Sequence, residues 1–456
     1  MSEALHSKKS IREEISKIAG PVFIELLLGT LFGMVDMMML GNYGNEATQA
    51  AGIAAVGITN QFVFIGLSLV QSLNTGATAM VARYLGAKRT DRIESVVKHI
   101  IVLTQVLLVL PMLMLGLGFT VPIMKALGAY SDTIAVGSNY FRVIMLGFIF
   151  QAFNFSIVAS LRGAGDTKTP MKINITSNAL NVVGNAVLIY GLFGVPEFGA
   201  TGAAISTALS HVFSCILLTR YIFKEDSTIH INLKNKFKFN KDIIYNLTKI
   251  GIPASLEQIA MRVGILIFTK IIASLGTVAY ATHQIAINIL SLSFTPGQSF
   301  GIAASTMSGR SLGAGDSDLA EKYVKECSKI GSFISFLMAG LFFFFGAQIA
   351  GLYTSNNEVI NEAASVLKLI AFIQPFQSSQ LILAGGLRGA GDTVWTLIST
   401  FIGILLIRVI LAYYFVIVLE VGLIGAWLAI LIDQFMRWIM INLRFRTDKW
   451  KYITLR

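Results

Sequence analysis

Long apolar stretches alternate along the chain with short polar or basic segments. A helix needs about 20 apolar residues to cross the hydrocarbon core of a bilayer. Stretches of that kind lie near 18–40, 53–82, 95–118, 134–160, 170–193 and 199–222. A second set lies near 246–275, 280–308, 328–353, 361–386, 396–418 and 424–443. Several exceed the minimum, which allows tilt or extension beyond the membrane. The pattern predicts an all-α integral membrane protein of twelve transmembrane helices.

The two sets are copies of one another. SLRGAGDTKTP at 160–170 returns as GLRGAGDTVWT at 386–396, and VARYLGAKRTDRIESVVK at 81–98 returns as MSGRSLGAGDSDLAEKYVK at 307–325. GPVFIE at 20–25 matches GIPASLE at 251–257, and FGATGAAISTA at 198–208 matches VGLIGAWLAIL at 421–431. Blocks repeated in one order at a near-constant offset mark a duplicated architecture. Six spans per copy return the chain to its starting side, so the halves are expected to be related by a pseudo-two-fold along the membrane normal. Transporters built from repeats hold their substrate near the midplane and rock one bundle against the other. The expected divisions are an N-terminal segment 1–17, an N-lobe 18–222, a linker 223–245, a C-lobe 246–443 and a tail 444–456.

Composition agrees. Of 456 residues, 54% are hydrophobic and only 13% are charged, with mean hydropathy +0.69; a soluble chain carries about 25% charged residues. The net charge of +11 does not signal nucleic acid binding, because the basic residues sit in short loops. Arg83, Lys88, Arg89 and Arg92 form one such loop, Lys234, Lys236, Lys238 and Lys241 another, and Arg444, Arg446, Lys449, Lys451 and Arg456 the tail. The alternate loops are nearly free of Lys and Arg, Lys125 excepted, with tips GNYGNEATQ, GLFGVPEFG, SLGTVA, YTSNNEV and VLEVG. Cytoplasmic loops retain Lys and Arg, so both termini are expected in the cytoplasm and the chain in the plasma (inner) membrane. Cys215 and Cys327 make neither a metal spacing nor a disulfide framework. Residues 1–17 are polar and mixed in charge, so the first span is expected to serve as an uncleaved signal-anchor.

Ionisable groups inside a span cost about 2.5–3.5 kcal/mol on insertion scales and mark functional candidates. Asp36 sits in the apolar run LFGMVDMMMLG, and Glu25 lies eleven residues earlier on the same helix. At 100° per residue the two differ by about 20° in direction and roughly 16 Å along the axis, so one face of the first helix is acidic. Glu257 is the repeat counterpart of Glu25, whereas Asp36 aligns with Phe268. Glu25 and Glu257 read either as cavity acids or as carboxylates near a helix start that offset its macrodipole. Asn181, Asn185 and Thr207 offer Asp36 oxygen ligands for Na⁺, or partners for a carboxyl that carries a proton; the alternative is plain interhelical hydrogen bonding. Arg262, Arg408 and Asp433 also fall inside spans, with Arg408 and Asp433 a plausible pair. His211 and His283 read as packing residues. The LRGAGDT turns lack the Gly-Lys-Ser/Thr of a P-loop, so their glycines read as turn formers and their Arg and Asp as locks between loops.

These residues resemble the multidrug and toxic compound extrusion (MATE) transporters, NorM-like branch. The resemblance rests on GPVFIELLLGTLFGMVDMMMLGNYG, on ATHQIAINILSLSFTPGQSFGIAASTMSGRSLGAG and on the paired LRGAGDT loops, and runs from about residue 15 to 445. It implies two six-helix lobes that exchange Na⁺ or H⁺ inward for small organic, often cationic, drugs moving outward, with no other cofactor and a monomeric protein. It further implies that Asp36 is the coupling carboxylate beside Asn181, Asn185 and Thr207, with any Na⁺ at Asp36 and Asn181. Glu257, Gln284, Glu25 and Gln377 would then line the substrate cavity. Two departures bear on the ion: Asn185 and Gln377 stand where relatives often place Asp. A proton is then the simpler ligand, although amide oxygens also coordinate Na⁺. A lipid-linked precursor flippase is the alternative within transport, and would need a cavity richer in Arg and Lys. A membrane-embedded enzyme would need a catalytic cluster that the spans do not carry.

Overall fold

The computed structural model describes residues 8–455 apart from 45, 233, 234, 236 and 355. Residues 1–7 of the N-terminal segment, Asn45, Lys234, Lys236, Ser355 and Arg456 lie outside the described residues.

Twelve long helices follow one another, with no strand among the described residues. They are α1 (Lys8–Gly41), α2 (Glu46–Gly86), α3 (Thr90–Gly118), α4 (Ser131–Gly163), α5 (Lys168–Tyr190) and α6 (Gly199–Ile222). The second copy gives α7 (Lys241–Ala273), α8 (Thr277–Gly313), α9 (Ser317–Gly351), α10 (Asn357–Ala390), α11 (Thr393–Val418) and α12 (Leu423–Arg446). A short helix, Thr120–Ala126, leads into α4. Each expected apolar stretch falls on one of the twelve. Among the described residues, nine helices are apolar and long enough to cross a membrane on that ground alone; α5, α7 and α8 are not. Those three carry buried polar side chains, including Ser177, Asn181 and Asn185 on α5 and Glu257 on α7. Helices that turn a polar face inward lose mean hydropathy without losing their span.

The chain forms two compact units. One comprises Met1–Phe23, Ala82–Lys88 and Thr248–Arg456, the other Ile24–Val81 and Arg89–Leu247. Helices α1 and α7 carry Pro21 and Pro253 inside them. The start of α1 belongs with the C-terminal unit for a periodic reason: Ile11, Ile15 and Ile18 recur at helical spacing and enter a core with Phe300, Met307, Leu387 and Trp450. Arg12 holds Glu326 at 2.7 Å, and the Tyr323 hydroxyl donates to Glu14 at 2.5 Å. In the same unit Gly86 of α2 abuts the Arg310 carbonyl, and its repeat counterpart Gly313 abuts the Arg83 carbonyl. A side chain fits at neither, which explains the glycine of the repeated LGA triplet.

The linker is shorter and better held than its composition suggests, since α7 already begins at Lys241. In the N-terminal unit the Asn240 N–H donates to His99 Nε2 at 2.8 Å, while Lys98 donates to the Asn232 and Asn235 carbonyls at 3.3 and 3.0 Å. Wider π turns interrupt α3 at Thr104–Val109 and α11 at Phe401–Arg408 and Tyr414–Val418. Such turns frequently mark functional sites.

Candidate functional site

The acidic face of α1 meets the polar face of α5. Glu25 accepts from Asn174 Nδ2 at 2.6 Å, and Asp36 accepts from Asn185 Nδ2 at 2.8 Å. Both pairs are 149 positions apart, so the two helices run parallel and in register over eleven residues. The spacing of acids on one helix is answered by the same spacing of asparagines on the other.

Asp36 is half-buried, with Asn181 and Asn185 fully buried beside it. The neighbours of the Asn181 amide set its orientation: the nitrogen lies 3.0 and 2.8 Å from the two Asp36 oxygens, and the amide oxygen accepts from the Thr207 hydroxyl at 3.2 Å. The Ser206 hydroxyl bonds the Asn181 backbone carbonyl at 2.8 Å and fixes α6 against α5. Tyr140 is buried within electrostatic reach of Asp36. All of these partners are neutral, and they solvate the carboxylate without cancelling its charge. Asn185 Oδ1 is buried with no partner among the described residues, an acceptor available to a cation or a water.

Glu25 and Glu257 have a different environment. Each lies more than four turns past the start of its helix at Lys8 or Lys241, and the macrodipole acts only over the first turn. The helix-start reading is therefore corrected. Arg162 of the first LRGAGDT turn reaches Glu25 at 2.9 Å, and Arg388 of the second reaches Glu257 at 2.7 Å. Thr396 and Thr400 add hydroxyl donors to Glu257 at 2.9 and 3.0 Å, with Thr400 in the place Asn174 takes against Glu25. The turns behave as locks. Gly165 and Gly391 both sit at φ 88°, where a side chain is strained. Asp166 accepts from Tyr221 at 2.7 Å and Asp392 from Arg444 at 2.7 Å. Burial pushes the Asp392 carboxyl above the usual range, against the pull of Arg444.

The C-terminal unit has its own buried charge cluster. Arg408 on α11 donates to Asp433 on α12 at 2.6 and 3.0 Å, which makes the expected pair. Arg437, one turn along α12, adds a second ion pair to Asp433 at 3.0 Å. The i, i+4 spacing of Asp433 and Arg437 was the sequence signal for it, as the eleven-residue spacing was for Asn174. A side chain at Gly403 on α11 would collide with Asp433 and Arg437, so the cluster needs that glycine.

Asp36, Asn181, Asn185 and Thr207 thus form one group. Glu25 and Glu257 end in ion pairs of their own, Gln284 is exposed, and Gln377 is buried with no partner among the described residues. His283 packs between Phe268 and Trp427.

Comparison with known proteins follows the duplication. The MatE family model matches twice, over residues 21–187 and 253–414, together more than half of the chain. The chain is 30% identical over 459 residues to a probable multidrug resistance protein NorM of Thermotoga maritima, covering 97% of this chain and 93% of that one. It is 27% identical over 457 residues to the uncharacterized transporter YisQ of Bacillus subtilis, covering 99% of each. Among solved structures it superposes at TM-score 0.88 and 25% identity on a MOP superfamily transporter from Pyrococcus furiosus, described by a binding pocket of reverse polarity, over 97% of each chain. The two matched copies, the near-complete coverage and the twelve-helix fold establish that the chain is a multi-pass membrane protein belonging to the MATE family of transporters.

Proposed function

We propose that the chain is a secondary antiporter that exports small organic, often cationic, compounds in exchange for inward H⁺ or Na⁺, with Asp36 as the coupling carboxylate. The observation that carries this reading is the Asp36 environment: a half-buried acid inside an apolar helix, held by Asn185 and Asn181 with no basic partner among the described residues. A charge that is not cancelled in a low-dielectric interior attracts a cation or takes up a proton. Binding of substrate and ion to the same group in alternation links the two fluxes, because each shifts the population of the state the other prefers. Rocking of the two homologous lobes would expose that group to each side in turn. The T. maritima relative, named as a probable multidrug resistance protein, supports export as the direction.

H⁺ is the simpler ligand, because Asn185 and Gln377 stand where relatives often place Asp and Asp36 is left as the acid among amides. Na⁺ is the second reading, since amide oxygens such as Asn185 Oδ1, without a partner among the described residues, also coordinate it. The test is efflux of a cationic dye from proteoliposomes under a pH gradient without Na⁺, and separately under an inward Na⁺ gradient at constant pH. The expected result is efflux driven by the pH gradient alone. Efflux driven only by Na⁺ reassigns the amides as Na⁺ ligands, and efflux unaffected by Asp36→Asn removes Asp36 from the coupling.

A further inference from the structure

The charged cluster of the C-terminal unit does not balance. Glu257 and Asp392 are each met by one guanidinium, from Arg388 and Arg444. Asp433 is met by two, from Arg408 and Arg437. One carboxylate against two guanidiniums leaves a formal charge of +1, and the three side chains are only 0, 10 and 8% exposed. Glu257 also acts on Arg437 at longer range, but Arg388 already neutralises it. A buried charge without a counter-charge is unfavourable unless something supplies one.

The surroundings supply donors. The Arg408 guanidinium lies over the Phe268 ring at 5.8 Å, Phe268 packs on His283 at 5.7 Å, and His283 on Trp427 at 5.6 Å. These four side chains form one continuous strip. Trp427 and His283 are 0 and 3% exposed, and Trp427 Nε1 and His283 Nδ1 have no partner among the described residues. An indole N–H only donates, and a neutral imidazole donates from one nitrogen. A buried donor without an acceptor is disfavoured. The excess charge and the orphan indole donor therefore ask for the same thing, and His283 joins them in the tautomer that carries its proton on Nδ1. Phe268 is also where the first repeat places Asp36, so the second repeat omits an acid and adds guanidinium in the corresponding region.

We infer that the Arg408–Asp433–Arg437 cluster, with Trp427 and His283, forms an anion subsite inside the C-terminal unit that takes one small monoanion, carboxylate or halide. The anion offsets the excess charge and accepts from the indole N–H, and from His283 in the Nδ1–H tautomer. It arrives either as a free ion or as the acidic end of a transported molecule. Binding is measured without any gradient, so the inference stands or falls apart from the antiport reading.

The test uses the full-length protein in detergent, with tryptophan emission and thermal unfolding followed during titration with sodium bromide or sodium acetate at constant ionic strength. The expected result is a saturable response. Arg437→Met leaves Asp433 and Arg408 balanced one to one, folds, and weakens the response by about tenfold or more, as loss of a buried charge partner does. Arg437→Lys keeps the charge and keeps saturation. Trp427→Phe loses the emission change but keeps an anion-dependent rise in unfolding temperature. Labelled benzoate in proteoliposome counterflow separates the sources: movement of label assigns the site to a transported acid, and binding without movement assigns it to a resident ion. A linear bromide response of equal slope in wild type and Arg437→Met, with no shift in unfolding temperature from either salt, overturns the inference.

Discussion

Asp36 and Asp433 are both carboxylates surrounded by apolar helices, and their partners make them opposites. Asp36 is half-buried and held by the amides of Asn185 and Asn181. Asp433 is fully buried between Arg408 and Arg437. Neutral donors lower the cost of a buried charge while leaving it free to be neutralised by something that comes and goes. Guanidinium groups neutralise it permanently, and removing one partner then exposes the others. The comparison separates an acid placed for exchange from an acid placed for structure, although from the hydropathy plot alone both are simply misplaced charges.

The largest expected difference is in transport. Asp36→Asn is isosteric, removes an uncancelled charge, and is expected to leave folding intact while gradient-driven efflux falls to the level of empty liposomes. Efflux at the wild-type rate would erase the functional half of the comparison. Asp433→Asn is expected to act on stability instead. It leaves two buried guanidiniums facing each other and destabilises the protein by about 3–5 kcal/mol, the range for breaking a buried pair. Thermal unfolding in detergent measures this, and an unchanged midpoint would mean that the cluster is not structural. The combined Arg408→Met, Asp433→Leu, Arg437→Met variant removes the charges together and should recover most of that loss, since apolar replacement of buried ion clusters is often neutral or better.

A smaller effect is expected at the repeat-related pair. Glu257→Gln and Glu25→Gln each leave a loop arginine with a weaker acceptor, at a cost of about 1.5–3 kcal/mol for a charge-assisted bond. Because both acids are already neutralised, cationic and neutral substrates should lose transport equally. A selective loss for cations on Glu257→Gln would restore that residue to the substrate cavity. The smallest effect is expected at Gly403→Ala, where the added methyl meets the Asp433 and Arg437 side chains. Overpacking of this kind costs about 1–3 kcal/mol, and Gly33→Ala, which meets open space, is the control on the α1 side.

Much of this was legible beforehand. Periodicity and length alone placed an apolar span on each helix, because the bilayer demands a long apolar run whatever it packs against. They missed the polar starts of α1 at Lys8 and α9 at Ser317, which lie ahead of the expected 18 and 328. The eleven-residue spacing of Glu25 and Asp36 put them on one face, since helical geometry is fixed by the backbone. The duplication was legible too, and so was the locking role of the LRGAGDT arginine and aspartate. What those arginines lock was not. Arg162 and Glu25 are 137 positions apart, and no local rule connects them.

Sequence by itself determined the class of protein, the number and order of its helices, the repeat and the unusual status of Asp36. These follow from the solvent and from the 3.6-residue turn, which act on every segment independently. Only the tertiary structure decided which buried charges are cancelled. It gave Asp36 two amides, Glu25 and Glu257 one arginine each, and Asp433 two. Charge balance in an apolar interior is a property of several helices at once, since a side chain a few ångströms away from another helix outweighs anything its own neighbours in sequence contribute.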